Sequence, residues 1–142
     1  MEIGPEEKFR INLDSFIEFL TSISNNDNVT GLFVLSRTQI KNKNNNVVIE
    51  NFIKHALPHI KIIKSKNEDF IRENLLDLFP NIQKNFLVTI RNFILEEVSN
   101  EDKEYIWEYI YTFVRLSGKY LLKNMSKSTY TEKEIREIFL KI

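Results

Sequence analysis

Apolar residues recur along this chain at three- and four-residue intervals, the spacing that gathers them on one face of an α-helix. Leu13, Phe16, Ile17, Leu20 and Ile23 form the first stripe, with Asn12 before it as a candidate cap. The polar run Ser24-Asn25-Asn26-Asp27-Asn28 should end that helix. Leu32-Phe33-Val34-Leu35 is a continuous apolar run, for which periodicity does not separate strand from buried helix; helix is the preferred reading. Lys41 to Asn46 reads as a loop with four Asn. Val48, Phe52, Ile53, Ala56 and Leu57 then form a stripe that Pro58 should stop, because proline lacks an amide donor and disfavours helical backbone in the residue before it.

Asn67 caps the next predicted helix, which carries Phe70, Ile71, Leu75 and Leu78 and closes at Pro80. Ile82, Phe86, Ile90, Phe93 and Ile94 define another, running to about Val98. The longest opens at Ser99-Asn100-Glu101-Asp102 and continues to about Lys123, with Ile106, Ile110, Phe113, Val114 and Leu121 inward. Its acids lie early and its bases late, which complements the helix dipole. Thr131-Glu132-Lys133-Glu134 is a capping box that opens a final helix with Ile135, Ile138 and Phe139. The expected fold is all-α: a compact bundle of six or seven helices in a single domain over residues 1–142, with 1–11 a candidate disordered tail.

Composition agrees. The 142 residues are 42% hydrophobic, enough for one core, and only 3 Gly and 3 Pro are present for turns. No apolar run reaches a membrane span, and the acidic start lacks the apolar stretch of a secretory signal, so a soluble, intracellular protein is expected. On that reading the sequons at Asn28 and Asn124 carry no sugar. The richness in Asn, Ile, Lys, Phe and Tyr matches AT-rich codon usage and cautions against reading Asn or Lys clusters as chemistry.

Candidate chemistry is thin. With no Cys, disulfides, thiolate metal sites and thiol catalysis are excluded. His55 and His59 are four apart, but Pro58 interrupts them and no third ligand is evident, so no metal and no cofactor is expected. No glycine cluster cradles phosphate and no Gly-x-Ser-x-Gly elbow exposes a nucleophile, so a non-enzyme is expected. Two groupings remain. Tyr105, Trp107, Tyr109 and Tyr111 cannot all face one core at about 100° per residue, so some are candidate anchors of a protein interface. Arg115, Lys119, Lys123 and Lys127 follow an i, i+4 row that forms a candidate nucleic-acid contact, although 20 basic and 20 acidic residues leave no net charge to drive it.

The segment from Asn100 to Phe113, with Ile106-Trp107-Glu108-Tyr109-Ile110 at its centre, resembles a stretch of uncharacterised small helical proteins of nucleocytoplasmic large DNA viruses. The resemblance implies a helical fold and such a source, and no activity. A viral regulator of the Bcl-2 type would also be a helical chain of this size, but its Asn-Trp-Gly-Arg segment is missing and Glu108 follows Trp107. The expected function is a non-catalytic protein–protein interaction module, a virion or host-interaction component, with homodimerisation as the default assembly and a nucleic-acid accessory as the alternative.

Overall fold

The computed structural model of the chain describes residues 2–80 and 82–142, and among these every regular element is helical, with no strand. Seven helices have eight residues or more: α1 (Pro5–Ile23), α2 (Asp27–Lys41), α3 (Asn45–Ala56), α5 (Glu68–Leu78), α6 (Lys84–Glu96), α7 (Asn100–Lys123) and α8 (Glu132–Phe139). A five-residue helix, α4 (Ile60–Lys64), stands between α3 and α5. Single 3-10 turns at Leu57–His59 and Met125–Lys127 complete the chain.

Helix starts follow the cap chemistry. Asn67 accepts the Asp69 amide at 2.9 Å and Ser99 accepts that of Asp102 at 3.2 Å. Thr131 and Glu134 bond each other's amides at 3.2 and 3.0 Å, completing the capping box. Asn26 accepts the Asn28 amide at 2.9 Å and opens α2, so Leu32–Leu35 is helical. The α3 helix stops at Ala56, beside Pro58 as expected; the chain then tightens into a 3-10 turn, after which α4 begins.

Three expectations need correction. Residues 5–11 are not a disordered tail: Pro5 occupies a first-turn position, where its missing amide costs nothing, and Phe9 is fully buried (Met1 lies outside the described residues). Asn12 is therefore no cap; it lies inside α1, and its side-chain amide donates to the Tyr109 carbonyl at 3.2 Å. Likewise Ile82 precedes α6 instead of opening it, but it is buried as its place in the stripe implied.

The core is aromatic. Phe113 on α7 stands 4.8 Å from Phe9, 5.5 Å from Phe52, 5.7 Å from Phe79 and 5.9 Å from Phe16, ring centre to ring centre. Three other segments, α1, α3 and the end of α5, thus meet at one ring of α7. α1 and α7 run antiparallel along a shared seam, with Phe19 beside Tyr105, Asn12 beside Tyr109 and Glu6 beside Lys123. α8 crosses α7 at Gly118, where an added Cβ would come within 2.5 Å of Phe139 Cβ.

Candidate functional site

The 24 residues of α7 divide the aromatic group between two sides of the helix. Trp107 is 3% exposed and packs among core rings, 6.2 Å from Phe70 and 6.5 Å from Tyr111. It belongs to the core and is no interface anchor, because α4 and α5 cover that side of α7. Tyr111 lies on the same side, half-buried; its hydroxyl donates to the Lys64 carbonyl at 3.0 Å and Lys66 Nζ lies 5.7 Å from its ring centre. Burial raises the Tyr111 hydroxyl pKa above the ordinary tyrosine value.

Tyr105 and Tyr109, four residues apart, face α1 instead. Tyr109 is half-buried, 5.2 Å from Phe16 and 5.7 Å from Phe19, while Tyr105 is 54% exposed and rests 5.8 Å from Phe19. The three rings Phe19, Tyr105 and Tyr109 form a ledge at the surface of the α1–α7 seam. Glu101 and Glu108 are the residues four before and three after Tyr105, and Glu18 adjoins Phe19. None of these three carboxylates has a cation within 4.0 Å among the described residues. Glu104, by contrast, is paired with Lys66 at 2.6 Å. Phe19 escaped the sequence reading because it lies off the α1 stripe; an aromatic out of phase was its only signal.

The basic row does not assemble. α7 ends at Lys123, so Lys127 falls in the following 3-10 turn, off the helix. Arg115 donates to the Ile142 carbonyl and to Thr112 Oγ1, each at 3.2 Å. Lys123 lies 3.9 Å from Glu6. Of the four residues only Lys119 is without an ion pair or hydrogen bond among the described residues, which leaves no continuous track for phosphates.

Lys127 belongs to a three-group clasp. Its ammonium donates to Glu50 Oε1 at 2.7 Å and to the Tyr120 hydroxyl at 3.2 Å, and that hydroxyl donates to the same Glu50 oxygen at 2.5 Å. The clasp ties the turn after α7 to α3. The Lys127 bond, then the Tyr120 bond, hold the Glu50 carboxyl below the ordinary carboxylate range. Bonding to Glu50 raises Lys127, and burial raises Tyr120. Each group answers another, which is the arrangement of a structural pin.

His55 and His59 are both partly exposed, and the His59 ring lies 6.1 Å from Phe70. Among the described residues no group of three or more His, Asp or Glu is placed to hold a metal ion, and no helix is long and apolar enough to cross a membrane. No family model, no curated protein and no solved structure matches the chain.

Proposed function

We propose that the chain is a non-catalytic protein-interaction module that docks a partner on the Phe19–Tyr105–Tyr109 ledge. One observation carries this reading: an exposed tyrosine rests against the Phe19 ring on the α1–α7 seam, within a rim of carboxylates that have no cation within 4.0 Å among the described residues. A tyrosine so held loses little freedom on binding, and its ring offers apolar area beside a hydroxyl that can bond a partner. The rim favours a partner segment bearing lysine or arginine around an apolar contact, since opposite charges steer encounter and like charges oppose it. The nucleic-acid alternative has weaker support, because three of its four basic residues are engaged within the chain.

Tagged protein captured from its source cells after nuclease treatment tests the reading. Glu101→Lys with Glu108→Lys should strip away the partners that wild type retains, without loss of helical circular dichroism. Retention of the same partners by the reversed rim removes the ledge as the docking site.

A further inference from the structure

The outer face of α2 is the second unpartnered surface of the bundle. Its inner face buries Val29, Phe33, Ser36 and Ile40. On the opposite side, at helical spacing, stand Gly31, Val34, Leu35 and Thr38, all exposed. Val34 is 56% and Leu35 50% exposed, among the largest exposures of any apolar side chain here. A Cβ added at Gly31 meets nothing within 4 Å among the described residues. The Thr38 hydroxyl bonds the Val34 carbonyl at 3.1 Å and is thereby engaged within its own helix. The centre of the face thus carries no charge.

On the face itself charge stands at the two ends, with opposite sign, while Arg10, Asp14 and Arg37 line the groove that borders Val34, Thr38 and Lys41. Asp27 lies in the first turn and Lys41 in the last. Neither makes an ion pair within 4.0 Å among the described residues, whereas Arg37, on the flank, is held by Asp14 at 3.5 Å. A helix face with an apolar centre, one acidic end and one basic end is complementary to itself turned end for end.

We propose that α2 pairs antiparallel with α2 of a second copy of this chain. A two-fold axis between positions 34 and 35 sets Val34 against the partner's Leu35, Gly31 against the partner's Thr38, and Asp27 near the partner's Lys41. Self-complementarity of this kind is what a two-fold interface requires. Glycine opposite threonine lets the helices approach closely, and the antiparallel arrangement also opposes their dipoles. A parallel pair would instead set Asp27 against Asp27 and Lys41 against Lys41. The helix is about 22 Å long, and one helix pair buries less than the roughly 1,000 Å² that a stable interface clears. The dimer is therefore one that forms and dissociates with concentration.

Analytical ultracentrifugation of the full chain at low salt tests this. Wild type should shift from monomer toward dimer as concentration rises. Leu35→Glu should weaken the association by about tenfold or more, since it sets a carboxylate into the apolar centre of both copies. Asp27→Lys should weaken it by about fivefold through two symmetric like-charge contacts, and adding Lys41→Asp to that variant should restore it. All these positions are exposed, and circular dichroism checks that each variant is folded. A monomer at every concentration, or a dimer indifferent to Leu35→Glu, overturns the proposal. Failure of the double charge exchange to restore association overturns the antiparallel register.

Discussion

Two positions along a helix are about 200° of rotation, and that angle is what separates Tyr105 from Trp107. One ring lies on the seam with α1, half in water; the other is sealed beneath α4 and α5. Their alanine variants should differ accordingly. Trp107→Ala removes a large ring that is 3% exposed and should cost about 3–5 kcal/mol. Tyr105→Ala should cost less than about 1 kcal/mol, since more than half of its surface is already in water. Urea unfolding followed by circular dichroism measures both. At this scale the sequence was half legible. That four neighbouring aromatics cannot share one core followed from helical rotation alone. Which of them leaves the core depended on where other helices lie, because Trp107 and Tyr111 stand in the same i, i+4 relation as Tyr105 and Tyr109.

Elements were legible where local chemistry defines them. Asn67, Ser99 and Thr131 cap helices as their side chains dictate, and the capping box at Thr131 forms both of its bonds. Contacts between elements were not legible. Gly118 gave no sign that α8 would press its Phe139 Cβ within 2.5 Å of the space a side chain would need. Alanine there gains about 1 kcal/mol of helix propensity but meets a rigid Cβ and a Leu140 methyl, so overpacking of about 1–3 kcal/mol should win. Gly118→Ala should therefore lower the melting temperature, and faster amide exchange should concentrate in α8. The clasp that holds the turn after α7 should respond to acid. Glu50 titrates below its ordinary range, so its contribution is present above that range and is lost as pH falls through the lowered value. Lys127 titrates above its ordinary range, so its contribution persists through neutrality and is lost only in strong alkali. Carbon-13 NMR of the Glu50 carboxyl should record the lowered value, and Lys127→Met or Tyr120→Phe should each move it back upward.

At the scale of the whole molecule, stripe after stripe at helical spacing made an all-α bundle legible, and the chain folds as one. The pairing of helices was not, because periodicity marks which face is buried but not what buries it. The antiparallel seam of α1 and α7 explains the two largest departures. It draws residues 5–11 into the fold through Phe9, and it sets Glu6 beside Lys123. Glu50 and Ile142, both distant in sequence from the row they engage, occupy Lys127 and Arg115. Two members of a row that looks basic in sequence thus meet carboxylates in three dimensions, while an aromatic ledge with free carboxylates appears where no single stretch of sequence contains it.

The ledge as docking surface is tested most directly by capture of nuclease-resistant partners from source cells with wild type, Tyr105→Ala and Lys119→Ala side by side. Tyr105→Ala should lose partners that wild type and Lys119→Ala both retain. If Lys119→Ala loses them and Tyr105→Ala keeps them, the partner docks on the basic end of α7, and the ledge is surface without a role in binding.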